Sequence, residues 1–94
     1  MNKYEIMFIV KTSIEKDLVD KTTEELQRVF KSDKKTDFKQ LGQKKLAYPI
    51  KKELSGYYFL ITVEAKVSEI NEFKHRVLIN ENVLRHLIIK LDEE

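Results

Sequence analysis

An α+β fold with four strands and two helices in the order β-α-β-β-α-β is predicted by three features of this chain. Apolar residues alternate with period two in four segments. They recur at helical spacing in two others, one after the first strand and one before the last. A length of 94 residues gives residues 1–94 one domain with one modest core, which fits a single layer of helices on a single sheet.

Lys3 to Val10 reads as the first strand, with Tyr4, Ile6, Phe8 and Val10 on one face and Lys3, Glu5, Met7 and Ile9 on the other. Thr12-Ser13-Ile14-Glu15 matches a capping box. Ile14, Leu18, Leu26, Val29 and Phe30 then share one side of a helix predicted to run to about Lys31. The polar run Ser32 to Asp37 ends it. Phe38 to Lys52 reads as a long second strand, with a bulge or bend expected at Gly42. Glu53 to Gly56 is the expected hairpin connection, and Tyr57 to Lys66, the segment richest in strand-favouring residues, is the third strand. Ser68 is the expected cap of a second helix that carries Ile70, Phe73 and Val77 and ends at Asn80 to Asn82. Val83 to Leu91 is the last strand, and apolar residues on both of its faces predict a central place in the sheet.

This order is the split βαβ arrangement of ferredoxin-like domains, a four-stranded antiparallel sheet with two helices on one face. Right-handed crossovers put both helices on the same side, so the chain leaves the other side uncovered. With Ile6, Phe8 and Val10 turned inward, Met7 and Ile9 turn outward; Tyr58 and Leu60 do the same opposite Tyr57, Phe59, Ile61 and Val63. Joined by Leu87 and Ile89 of the last strand, they form an apolar outer set expected to meet a protein partner.

Composition excludes most chemistry. Without cysteine there is neither a disulfide framework nor a thiolate metal site, and His75 and His86 alone do not make a zinc site, so no cofactor is expected. The opening MNKYEIMFIV lacks the parts of a signal peptide, and no apolar run approaches the roughly 20 residues of a bilayer span. A cytoplasmic setting without a membrane role is expected. Two glycines cannot build a phosphate-cradling loop, and GxxxxGK[ST] is missing. Ser13, Ser32, Ser55 and Ser68 fall where caps and turns need hydroxyls, and none has a histidine close in sequence to suggest a triad. Acylphosphatase-type enzymes share the element order but need an arginine in a glycine-rich cradle after the first strand, and a metabolite-binding regulatory domain expects glycine at the same turn. Lys11-Thr12-Ser13 supplies neither. No catalytic residue and no small-molecule substrate are expected, which leaves a binding module.

The charge is unevenly distributed along the chain. The net charge is only +2, yet eight lysines face two aspartates between Lys31 and Lys52, so a basic stripe lies on an otherwise acidic body. Residues 42–51, GQKKLAYPIK, place adjacent lysines, a tyrosine and the one proline in an extended segment, although strands disfavour both lysine and proline. Pro49 suits a protected edge.

This decamer closely resembles the signature of the bacterial small-subunit ribosomal protein six family: Gly42, any residue, two mostly basic or polar residues, Leu46-Ala47-Tyr48, any residue, Ile50 and a basic residue, here Lys51. Tyr4-Glu5, Gly56-Tyr57, Asn82-Val83 and a last strand with Arg85 and Lys90 extend the resemblance over the whole chain, although many relatives carry a longer tail after Lys90. The resemblance implies a heterodimer with small-subunit ribosomal protein eighteen and binding of that pair to small-subunit ribosomal RNA. Residues expected at RNA are Lys3, Lys44, Lys45, Tyr48, Lys51, Lys52 and Arg85; those expected at the protein partner are Met7, Ile9, Tyr58, Leu60, Leu87 and Ile89. Backbone and shape rather than base edges are the expected target. The rings do not form the pattern of a stand-alone RRM-like reader, the competing expectation.

Overall fold

The structure, a computed structural model, describes residues 2–30 and 37–91. Its elements are β1 (Asn2–Lys11), α1 (Lys16–Gln27), β2 (Asp37–Ile50), β3 (Glu53–Ala65), α2 (Val67–Ile79) and β4 (Val83–Leu91). The strands form one antiparallel sheet in the order β2-β3-β1-β4. β4 is therefore an edge strand, contrary to the sequence expectation of a central place. Its two faces are apolar because one meets α2 and the other belongs to the uncovered side of the sheet, not because it has neighbours on both flanks.

Burial sets the register. Ile6, Phe8 and Val10 of β1, Ile61 and Val63 of β3 and Phe73 of α2 are completely buried. Phe8 lies opposite Phe59 and Ile6 opposite Ile61, so both central strands turn the predicted face to the helices. All five phenylalanines join in one run of rings. Phe38–Phe59, Phe59–Phe8, Phe8–Phe73 and Phe73–Phe30 have centroid separations of 5.7, 5.3, 6.2 and 5.5 Å. Such pairs contribute about 0.5–1.5 kcal/mol each beyond their burial, and here they tie β2, β3, β1, α2 and the end of α1 together.

Both helix starts differ from expectation. α1 begins after Glu15 with no side-chain cap, because the hydroxyls of the Thr12–Ser13 pair are used elsewhere. Thr12 Oγ1 lies 2.9 Å from Ser55 Oγ, and Ser13 Oγ donates to Glu53 Oε2 at 2.9 Å, so the loop is stitched to β3. α1 ends at Gln27 rather than near Lys31, a residue outside those described. Its inner face is Val19, Thr22, Thr23 and Leu26, whereas Leu18 is 42% exposed. The two threonines can be buried because their hydroxyls donate to the carbonyls of Leu18 and Asp20 one turn earlier. In α2 the cap position is Lys66, with Ser68 inside the helix, and the Glu69 carboxylate accepts from the Lys66 amide at 3.0 Å. Ile70, Phe73 and Val77 are its buried face, as their spacing predicts.

Candidate nucleic-acid and partner interface

One side of the sheet has no helix on it, and antiparallel pairing arranges its residues in rows across the strands. Lys39, Leu60, Met7 and Leu87 form one row; Gly42, Tyr58, Ile9 and Arg85 form the next; Lys44, Gly56 and Lys11 close that end. In the other direction lie Asp37, Thr62, Glu5 and Ile89, then Glu64, Lys3 and Leu91. The middle of the face is thus apolar, one end is basic and the other is mixed. Lys44 Nζ stands 5.6 Å from the centroid of the Tyr58 ring, a cation–π contact that holds the ammonium over the sheet.

The expected partner residues do share this face, with graded exposure. Leu87 and Ile89 are exposed, while Met7, Tyr58 and Leu60 are half-buried. Ile9 is only 8% exposed, because it folds over Gly56; a β-carbon on that glycine would collide with Ile9 Cγ2. Sequence alternation finds the face of Ile9 but not this self-coverage. A shallow depression lined by Met7, Ile9, Arg85, His86 and Leu87 runs between β1 and β4.

The expected RNA residues do not form one cluster. Lys44 and Lys45 pair with Gly56 and Ser55, so they point to opposite sides of the sheet. Lys3 is eight residues along β1 from Lys11, about 27 Å at the usual strand rise, and lies beside Glu64. Arg85 occupies the opposite edge of the open face from Gly42. Lys51, Lys52 and Tyr48 belong to the end of the β2–β3 hairpin.

That hairpin differs from its sequence reading. The turn is Lys51-Lys52, between paired Ile50 and Glu53, and residues Glu53 to Gly56 are strand rather than connection. The expected irregularity at Gly42 is present: the register shifts between Gln40 and Gly42, where Gly42 has φ +92°. A second shift follows, in which Leu46 to Pro49 face Leu54 alone. Pro49 therefore sits where the ladder is already broken, which is where a missing N–H does least harm. Tyr48 and Leu54 are 71% and 68% exposed. Lys39, Lys11 and Leu54 were not singled out from sequence; alternation carried through the shift at Gly42 places Lys39, as alternation along β1 places Lys11, on the open face.

His86 lies on the helical side, opposite Phe8, and its pKa is lowered from 6.5 first by burial and then by the nearby Lys74 ammonium. Among the described residues no group of histidines and carboxylates is arranged to hold a metal ion, and no helix is long and apolar enough to cross a membrane.

Comparison with known proteins points one way. The profile of the family described as "Ribosomal protein S6" matches residues 3–90. Small ribosomal subunit protein bS6 of Ureaplasma urealyticum serovar 10 and that of Ureaplasma parvum serovar 3 are each 37% identical to this chain over 95 residues, covering 100% of it. The chain spans 59% of the length of these relatives. The crystal structure of 30S ribosomal protein S6 from Thermotoga maritima superposes with a TM-score of 0.86 over 96% of this chain and 87% of that one. At 20% identity, that likeness is one of fold.

Proposed function

This chain belongs to the ribosomal protein S6 family, and on that premise we propose that it is a structural component of the small ribosomal subunit. It binds small-subunit ribosomal RNA as a heterodimer with small-subunit ribosomal protein eighteen, and it is not an enzyme. The observation that carries this reading is the open sheet face, an apolar centre with Lys44 and Lys11 at one end, Lys39 at its β2 edge and Arg85 at its β4 edge. Met7, Tyr58, Leu60, Leu87 and Ile89 meet the protein partner, with Ile9 as the floor under them. Burying such a surface at about 25 cal/mol per Å² supplies several kcal/mol before association entropy is subtracted.

RNA then meets the cations that the partner leaves free, Lys44 at the rim and Lys51 and Lys52 at the hairpin end. A stand-alone reader is disfavoured by the rings: of four tyrosines and five phenylalanines, Tyr58 alone lies on the open face, with Tyr48 on the hairpin. RNA affinity therefore depends on the pair. Replacing Tyr58 and Leu60 by Ser is expected to abolish pairing with ribosomal protein eighteen, to leave the circular-dichroism spectrum nearly unchanged and to remove RNA binding as a consequence. Normal pairing by the folded double variant would refute the assignment of the face.

A further inference from the structure

The hairpin between β2 and β3 closes through two residues, and both have positive φ: 50° at Lys51 and 68° at Lys52. A two-residue loop of this kind matches the twist of the strands, but the left-handed region crowds any side chain with a β-carbon, so Asn-Gly is the favoured occupant. Two lysines are a poor choice for the backbone. They are a poor choice electrostatically as well, since adjacent ammonium groups repel and no described carboxylate lies within salt-bridge reach of either. The one acid beside them, Glu53, accepts the Ser13 hydroxyl on Oε2 at 2.9 Å and forms no ion pair with either lysine.

The surroundings add to the mismatch. The turn is at the end of the hairpin, beyond the segment where Leu46 to Pro49 leave the ladder, and both lysines are exposed. Tyr48 presents its ring to solvent a few residues away. A conformation held against local preference marks a place where side chains, not the fold, decide the residues. Because the loop has no slack, it fixes the backbone of two adjacent exposed lysines, and an anion bound by both relieves their repulsion. A polyanion with a π-face for Tyr48 fits this end of the molecule; an apolar segment does not.

We propose that the Lys51–Lys52 turn is a preset grip for the phosphate backbone of RNA, held in a left-handed conformation that weakens the hairpin, so that RNA affinity and fold stability oppose each other at these two positions. This rests on the reading of the chain as a ribosomal-RNA-binding protein. Two double variants separate conformation from charge. Lys51→Asn with Lys52→Gly relaxes the turn and removes the cations; Lys51→Gln with Lys52→Gln removes the cations and keeps the strain. The measurements are thermal unfolding of the free protein, and binding of small-subunit ribosomal RNA across a salt series with ribosomal protein eighteen present.

The Asn-Gly variant is expected to unfold roughly 5 °C higher than wild type, and the Gln-Gln variant within about 2 °C of it. Both are expected to bind RNA more weakly, with the log-affinity against log-salt slope shallower by up to about two, one per phosphate lost. An Asn-Gly variant no more stable than wild type overturns the strain, and wild-type affinity and slope in both variants overturn the grip. Lys44→Ala with Lys45→Ala is measured beside them. If that pair weakens binding while the turn variants do not, the grip alone fails; if none of the three changes binding, the RNA reading of this region fails with it.

Discussion

β3 has a partner on each side, and the two ladders it forms are unlike each other. With β1 it pairs from Asn2↔Ala65 to Lys11↔Gly56 without a register shift. With β2 it shifts twice, at Gln40/Gly42 and at Lys45/Ile50. Along the first ladder every helix-facing side chain from Tyr4 to Val10 is buried. Along β2 no described residue is buried, and Phe38, Leu46 and Ile50 alone are half-covered. The regular ladder is specified by removing apolar surface from water, where a one-residue slip would expose the whole set. The irregular one is held by backbone bonds, the Phe38–Phe59 stack, the Lys44–Tyr58 contact and a hydrogen bond donated by Gln43 Nε2 to Ser55 Oγ at 3.4 Å, so most of its residues are free to answer to charge. Steady pairing marks where the fold is made.

The sharpest way to break the contrast is to cut one residue from each side of the same strand. Phe59 is buried, stacks on Phe8 and Phe38, and is expected to cost about 3–5 kcal/mol when truncated to Ala, enough to threaten a domain of this size. Leu60, on the open face, is expected to cost far less in the free protein. Urea midpoints of the two variants check this, and equal losses would contradict the division of the faces.

A smaller effect tests the open face's own packing. Gly56→Ala places a methyl group against Ile9 Cγ2, and overpacking of this sort costs about 1–3 kcal/mol. Ile9→Ala removes the colliding atom, so the double variant is expected to be more stable than the sum of the single losses predicts. Additive losses in the four-way comparison would mean that the sheet, not Ile9, gives way.

On β2 the expected effect passes from stability to binding. Lys44 faces the open side and Lys45 the helical side, so an RNA lying at the rim of the open face reaches the first and not the second. Lys44→Ala is expected to make the salt slope of RNA binding by the assembled pair shallower by about one, with Lys45→Ala near wild type and both folds unchanged within about 0.5 kcal/mol. The reverse order would put the RNA on the helical side of the hairpin.

Sequence made the regular part of the molecule legible for the same reason that it is regular. Period-two alternation in β1 and β3 is imposed by burial, and Ile6, Phe8, Phe59 and Val63 obey it. The strand order at β4 was misread because apolar residues on two faces do not report how many flanks are paired. The hairpin turn was displaced to Glu53–Gly56 because Lys-Lys carries no turn signal, while Ser-Gly does. The α1 cap was misread because the Thr12 and Ser13 hydroxyls have other partners once β3 is beside them, and the α2 cap because Glu69 reaches back to the Lys66 amide one turn earlier. At the site, residue types were readable and their grouping was not, since the register shift between Lys45 and Ile50 separates Lys44 from Lys51 and Lys3 lies at the other end of the sheet.

The smallest effect expected belongs to the regular side. His86 lies against Phe8 under α2, and burial, helped by Lys74, lowers its pKa below 6.5. The unfolded chain therefore takes up this proton before the folded one does. As pH falls through about 6.5 the folded state loses stability relative to the unfolded, and the loss is complete once pH is below the lowered folded value. Above about pH 7.5 both states are neutral at this position and nothing is lost. Comparison with His86→Gln isolates the contribution of this imidazole. Denaturant midpoints of wild type are expected to fall more steeply than those of His86→Gln as pH drops from 7.5 to 5.5. Lys74→Gln is expected to remove part of the difference but not all, since burial is the larger cause. Parallel curves for wild type and His86→Gln would place the imidazole in solvent at the edge of β4, in contact with neither helix nor core.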